Sequence, residues 1–290
     1  MSTISVLNIN QFEQDTPLSN FYSSDLKSHL NKNKVFFSKP HSHDFFLCVI
    51  FSKGSGIHEI DFNSYPINAG SVFFLKPGQT HFWKFTSNPE GYIFFHTKDF
   101  YELHFTRSRL EQFPFYYSHE NTPLLELSIE KAAMIKSKFK NLNEEYNKDL
   151  LYHKQKISSL INIIYIDLSR EYGVLQLNNK MVSNRYVETL RALEELIDRH
   201  YKTQKSAKFY ANQLNMSTKH LNRVIKSILG KTTTNLIIER VLLESKRLVV
   251  HSKEPLSVIA ELLGYDDYAY FSRVFKQKTN MTPMDFKRQY

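Results

Sequence analysis

Between Val35 and Phe95 the apolar positions fall in short β-branched and aromatic runs broken by Gly, Pro, Asn and Ser, the pattern of strands joined by tight turns. The runs are Phe45 to Phe51, Ile57 to Phe62, Ser71 to Leu75 and Tyr92 to Phe95. Gly54-Ser55-Gly56, Asn63-Ser64 and Pro77-Gly78 supply the turns. Strands this short and this close predict a small antiparallel barrel or jelly roll. Eighteen of the 23 phenylalanines precede residue 121, so its interior should be strongly aromatic. After Pro123 the spacing becomes helical, with Leu124, Leu127, Ala132, Ile135, Phe139 and Leu142 among Lys and Glu. A second helix is predicted from about Lys154 to Glu171. Its Ile157, Ile161, Ile164 and Leu168 follow a four-three-four spacing, which suits either docking on the barrel or pairing with a second copy of the chain. Gly173 to Ser183 has no periodicity and reads as a linker.

The C-terminal part contains a weak internal duplication. Ala211, Leu214, Leu221, Arg223, Val224 and Lys226 recur as Ala260, Leu263, Phe271, Arg273, Val274 and Lys276. The offset is 49 before a turn and 50 after it, so each copy reads as a short helix, a turn and a longer helix, with one extra residue in the second turn. Asn215-Met216-Ser217 provides a residue tolerant of left-handed backbone and then an N-cap, and Gly264 with Asp266 and Asp267 repeats the device. Gly230 and Asn280 end the longer helices, and Thr282-Pro283 opens another. Thr234 to Val250 is a long amphipathic helix suited to hold both copies.

Charge sharpens this division. Asn184 to Tyr290 carries 19 Lys and Arg against 11 Asp and Glu, whereas Met1 to Ser183 carries 19 against 18. The basic part is the nucleic-acid candidate. In a helix-turn-helix the second helix presents its N-terminal residues to base edges in the major groove. Those residues are Thr218, Lys219, Asn222 and Arg223 in the first copy. In the second they are Asp267, Tyr268, Ala269, Ser272 and Arg273. Arg pairs with guanine and Asn with adenine through two bonds each, which makes Asn222 and Arg223 the best readers. Lys226, Lys276 and Lys278 lie further along and suit phosphate. Tyr268 fits a core position as well as a reading one. The single cysteine, Cys48, excludes an intrachain disulfide. The polar N-terminus and the lack of an eighteen-residue apolar run lead us to expect a cytoplasmic protein with no membrane partner.

The stretch Ile259 to Lys276, reading IAELLGYDDYAYFSRVFK and followed by Met281-Thr282-Pro283, resembles the signature of the AraC/XylS family of bacterial transcription regulators. The resemblance runs from about Leu193 to Tyr290. It implies a seven-helix DNA-binding domain whose two reading helices enter successive major grooves, with RNA polymerase as a further partner. The sequence departs from the family at Ala269, where a small polar residue is usual, and at Asn280, where glycine is usual. Asn tolerates a positive φ, so the second departure preserves the turn.

Pro40-His41-Ser42-His43, Gly54 to His58 and Gly70 to His81 are similar to the cupin-type sensor and dimerisation domain often joined to that module. The implied fold is α+β. A cupin-like β-barrel (1–120) with two accessory helices forming a dimerisation region (121–173) is followed by a linker (174–184). The all-α domain (185–290) holds two helix-turn-helix units joined by a long helix. His41, His43, Phe45, His81 and Trp83 are the candidate effector-binding residues. His41, His43 and His81 stand where metal-binding cupins keep ligands, but no glutamate follows His43 at the cupin spacing, so no metal and no cofactor are expected. The expected function is a non-enzymatic, homodimeric, effector-modulated regulator of transcription, an activator rather than a repressor. The alternative is a metal-dependent cupin enzyme tethered to DNA.

Overall fold

The computed structural model describes residues 5–12, 18, 20–34, 39–103, 105, 110–117, 121–148, 150–176 and 184–289. They form two compact units, 5–179 and 180–290, and the fold is α+β.

Among the described residues the N-terminal unit contains ten strands: β1 (Ser5–Leu7), β2 (Phe21–Asp25), β3 (His41–His43), β4 (Phe46–Lys53), β5 (Gly56–Ile60), β6 (Asn63–Ile67), β7 (Ser71–Leu75), β8 (His81–Phe85), β9 (Glu90–His96) and β10 (Leu124–Glu126). They make two five-stranded sheets, ordered β1-β3-β8-β5-β6 and β10-β7-β4-β9-β2. Every pairing is antiparallel except β1 with β3. Five α-helices accompany them among the described residues: α1 (Leu26–Lys32), α2 (Lys98–Glu102), α3 (Pro114–Tyr117), α4 (Ile129–Tyr146) and α5 (His153–Gln176).

The two sheets read differently in sequence because they are buried differently. The β10-β7-β4-β9-β2 sheet is covered on both faces, so its strands are nearly unbroken apolar runs. Phe73 points inward to His58 and Phe51, while its neighbour Phe74 points outward and stacks 3.8 Å from Phe115. Phe95 likewise meets Phe45 inside, whereas Phe94 meets Phe139 of α4 and Tyr165 of α5 outside. The other sheet has one solvated face and alternates. His58 and Ile60 of β5 and His81 and Trp83 of β8 are buried, while Ile57 and Lys84 are exposed.

Three expectations are corrected and one open alternative is decided. The turn between β5 and β6 is Asp61-Phe62, both at positive φ (47° and 70°), not Asn63-Ser64, because Ile60 pairs directly with Asn63. Those φ signs belong to the two-residue hairpin turn whose twist matches the strands. Asp61 is held there by the backbone N–H of Thr80, which donates to its Oδ1 at 3.1 Å. Leu124 and Leu127 are not helical. Leu124–Glu126 adds an edge strand to β7, and α4 starts only after the Ser128 N-cap. Ile157, Ile161, Ile164 and Leu168 are each 0 % exposed, so this seam docks α5 on its own unit and faces no second copy. Tyr165, one position after Ile164, donates to His96 Nε2 at 2.7 Å and lies 3.1 Å from the Tyr116 hydroxyl. Finally, the expected linker is partly helical: 173–176 lie inside α5 and Asn184 opens the next helix, while 177–183 lie outside the described residues.

The C-terminal unit consists, among the described residues, of seven helices: α6 (Asn184–His200), α7 (Ala207–Gln213), α8 (Thr218–Leu229), α9 (Thr233–His251), α10 (Leu256–Leu262), α11 (Tyr268–Thr279) and α12 (Pro283–Gln289). Helix α9 is the spine, with Leu236, Ile237, Val241 and Val249 buried. Arg240 ties it to α6. Its guanidinium lies 4.2 Å over the Tyr201 ring, with Nε donating to Asp198 at 2.7 Å and Nη1 to Glu244 at 3.1 Å. Largely shielded from water, such a planar multidentate pair is worth more than an exposed one.

Candidate functional site

Helices α7–α8 and α10–α11 are the two helix-turn-helix units. Between α7 and α8 lie four residues, and between α10 and α11 lie five, which places the extra residue of the duplication in the second turn. Asn215 takes φ 52° in the first turn and Gly264 φ 72° in the second. Only glycine fits at 264, since a Cβ there would meet the Lys202 carbonyl oxygen at 1.9 Å. Lys205 Nζ fastens that turn by donating to Gly264 O at 2.7 Å while lying 4.6 Å over Tyr265. Ser217 caps α8 by accepting from His220 N at 3.2 Å. Gly230 and Asn280 end α8 and α11 in left-handed conformation at φ 69° and 60°. Leu221, Val224 and Ile225 of α8 and Phe271 and Phe275 of α11 are buried. The opposite faces therefore turn to solvent.

On α8, Lys219, Arg223 and Lys226 are exposed and Thr218 half-buried. Together with Ser217, His220, Asn222 and Thr232, the three basic residues line a surface cleft of about 690 Å³. On α11, Tyr268, Ala269, Tyr270, Arg273, Lys276 and Lys278 are exposed and Ser272 is half-buried. The structure thus gathers the expected residues into two basic faces, and it gives two of them other work. Asn222 Oδ1 accepts from the backbone N–H of Thr233 at 2.9 Å, satisfying a donor left open at the start of α9. Its side chain joins α8 to α9. At the equivalent place in the second unit Pro283 has no N–H, so Ser272 meets no such demand. Asp267 is the N-cap of α11, its two oxygens accepting from Ala269 N and Tyr270 N at 3.0 Å each. A capped carboxylate repels phosphate and is a structural residue here.

Sequence reasoning passed over His220 and Tyr270. They occupy equivalent positions, three residues before Arg223 and Arg273. Arg223 Nη2 donates to His220 Nδ1 at 2.7 Å, and the Arg273 guanidinium stands 6.0 Å from the Tyr270 ring centre.

In the N-terminal unit the expected effector residues do come together, but inside the core. His41, His43, Phe45 and His81 are at most 2 % exposed. Strand pairing sets His41 against His81 and His58 against Trp83, which brings in a fourth histidine, His58, that spacing alone did not single out. His58 Nε2 and His81 Nδ1 share a 2.9 Å hydrogen bond. His43 Nδ1 donates to Phe45 O at 2.7 Å and its ring stacks on Phe45. Burial holds these imidazoles below the ordinary histidine value, His43 at about 3 and His58 and His81 well down. Among the described residues no group of three or more His, Cys, Asp or Glu is placed to hold a metal ion. An open feature of this unit is a cleft of about 810 Å³ whose lining includes Trp83, Phe85 and Leu30 beside Lys27, Asn31 and Lys34. Of the expected effector residues, Trp83 alone is in that lining.

Residues 29–98 match the family described as the AraC-like ligand binding domain, and residues 210–289 match the one described as a helix-turn-helix domain. The chain belongs to the AraC family. It is an AraC-type DNA-binding transcription regulator with a ligand-binding domain. Among AraC-family relatives, the HTH-type transcriptional activator RhaS of Citrobacter koseri is 23 % identical over 252 residues, 86 % of this chain and 87 % of that one. RhaS of Escherichia coli O81 is 25 % identical over 254 residues with the same coverage. ToxT from Vibrio cholerae, a solved structure, covers 93 % of this chain and 98 % of its own at 14 % identity and a TM-score of 0.44. The helix-turn-helix match spans α8, α11 and the spine between them, and the ligand-binding match spans His41, His43, His58 and His81. Among the described residues no helix is long and apolar enough to cross a membrane.

Proposed function

We propose that this protein activates transcription by reading DNA sequence through two helices, under the control of a small molecule bound in its N-terminal unit. The observation that carries the reading is the repeated basic face, Lys219, Arg223 and Lys226 on α8 and Arg273, Lys276 and Lys278 on α11, each set on a helix fixed at both ends by caps. Arg223 and Arg273 read guanine, Lys219, Thr218 and Ser272 make the neighbouring contacts, and Lys226, Lys276 and Lys278 hold phosphate. The aromatic and basic cleft at Trp83 is where an effector enters, and its occupancy shifts the affinity for DNA. Activation, with RNA polymerase as partner, is supported by the activator relatives. A cytoplasmic homodimer remains part of this reading. With the Ile157 seam buried, its interface uses another surface, and Ile163 and Ile166 are exposed on the outer side of α5.

The test is selection of binding sites from random DNA by the full chain, repeated with a metabolite panel. The expected result is a bipartite site whose affinity responds to one class of metabolite. Replacing Arg223 or Arg273 with Ala should cost about 1 to 3 kcal/mol at that site and relax one base pair. Equal weakening on every sequence would refute base reading.

A further inference from the structure

Each reading helix carries its arginine beside a residue three positions earlier. On α8, Arg223 can only donate, so the 2.7 Å contact makes His220 Nδ1 the acceptor and puts the ring proton on Nε2. On α11 the corresponding Tyr270, 54 % exposed, offers its ring to the Arg273 guanidinium at 6.0 Å, the outer range of a cation–π contact. The residue three positions ahead lies on the same face one turn back, so both partners sit on the DNA-facing side of the helix. Neither is buried in the core, although the Tyr270 ring also lies 6.0 Å from that of Tyr265. His220 is half-buried, and Ser217 uses its backbone N–H, not its ring, for the cap.

We infer that His220 and Tyr270 are positioning residues for base reading, each holding its arginine extended before DNA arrives. This rests on the reading that Arg223 and Arg273 contact bases. A free arginine has many rotamers to lose on binding, and fixing it beforehand removes part of that loss from the binding step. The geometry leaves the chemistry intact. One of five N–H donors of Arg223 is occupied by His220, and enough remain for a two-bond pairing with guanine. The two holders differ in kind. A hydrogen bond fixes direction, whereas a ring face fixes only height, so Arg223 is held more narrowly than Arg273. Single-base discrimination is accordingly steeper at the base pair read by Arg223.

The experiment uses the full chain, DNA selected by the wild type, and single-base variants of that DNA titrated at one salt concentration. Arg223→Ala first locates the base pair that Arg223 reads. His220→Ala should then lower discrimination at that same base pair about three- to ten-fold and leave the others and non-specific binding unchanged. His220→Asn puts Oδ1 where Nδ1 stood and should restore discrimination to within about two-fold. Tyr270→Phe should keep, and Tyr270→Leu should lose, discrimination at the base pair relaxed by Arg273→Ala. Urea midpoints confirm that each variant is folded. His220→Gln, which removes the δ acceptor but not the side chain's bulk, repeats the test if alanine disturbs the helix. The inference is overturned if His220→Ala leaves that base pair unaffected or weakens all sequences alike. It falls together with base reading if Arg223→Ala itself relaxes nothing, and the Arg223 variant tells the two failures apart.

Discussion

Acid should unfold the N-terminal unit before carboxylates in the unfolded chain begin to titrate. His29, His43 and His96 are among the histidines there that are almost completely shielded from water. Burial brings His29 and His43 down to about 3 and His96 to about 4. In the unfolded chain each returns to about 6.5. The folded state therefore binds fewer protons than the unfolded state throughout the window from about 6.5 down to those values. Stability is complete above pH 6.5 and is lost as pH falls, by about 1.4 kcal/mol per unit for each histidine. From pH 6.5 to 5 that is about 2 kcal/mol each, or about 6 kcal/mol for the three, against a typical total of about 5 to 15. His58 and His81 are shifted the same way by burial and add to the loss. Trp83, the single tryptophan of the chain, is buried in this unit, so its fluorescence reports this unit's unfolding. Urea titrations at pH 7, 6 and 5 should show the Trp83 midpoint falling steeply. His96→Gln keeps a polar side chain opposite Thr97 O and Tyr165, and should flatten the pH dependence by about 1.4 kcal/mol per unit. A midpoint unchanged between pH 7 and 5 would refute the reasoning, because it would mean that these histidines gain protons in the folded state.

Other predictions concern the C-terminal unit. Gly264→Ala combines a left-handed backbone with a Cβ 1.9 Å from a carbonyl oxygen and should destabilise it by about 3 kcal/mol; a loss in urea below about 1 would show that the turn has room. Asn222→Ala leaves the Thr233 N–H without its acceptor and should cost about 1 kcal/mol of stability. In DNA titrations it should weaken all sequences alike, in contrast to Arg223→Ala, and a relaxed single base pair would restore Asn222 as a reader. Deleting residues 1–179 should leave a folded unit that binds the selected site, as checked by circular dichroism and gel shift. Loss of helicity would place essential contacts in the deleted half.

The helix-turn-helix half was legible because its signals are local. An N-cap such as Ser217, a left-handed stop such as Gly230 or Asn280, and the Thr282-Pro283 start act over three or four residues, and each stands where its sequence placed it. The strand half was most legible where a run was buried on both faces. Ser71 to Leu75 was read to the residue, but β8, with its alternating His81-Phe82-Trp83-Lys84-Phe85, was read as motif and not as strand. Leu124 to Leu127 fits a helix and an edge strand equally well, and the vacant edge of β7 decided the matter. The histidines were legible as a group and misplaced in depth. Spacing puts His41, His43 and His81 on one face of one sheet, but whether that face is a pocket or a core depends on Phe45, which stacks on His43, and on Phe73, which meets the neighbouring His58 from the opposite sheet.

Asn222 shows where residue chemistry alone misleads. By its donor and acceptor it ranks beside arginine as a base reader, and in this fold its acceptor is engaged eleven residues away at the start of α9. The second unit dispenses with that bond by placing Pro283 where the first has Thr233. Substituting a residue without an N–H thus lifts the demand from Ser272, and the two reading helices come closer to parity than their sequences suggest. The first has a tightly held arginine and a lysine, Lys219, but an engaged amide. The second has a loosely held arginine, an uncommitted position at Ser272 and two exposed tyrosines. If Arg223 and Arg273 read bases as proposed, discrimination should divide by rigidity and not by the count of polar side chains. Single-base titrations are expected to show the sharpest penalty at the base pair facing Arg223 and more tolerance at the contacts of α11.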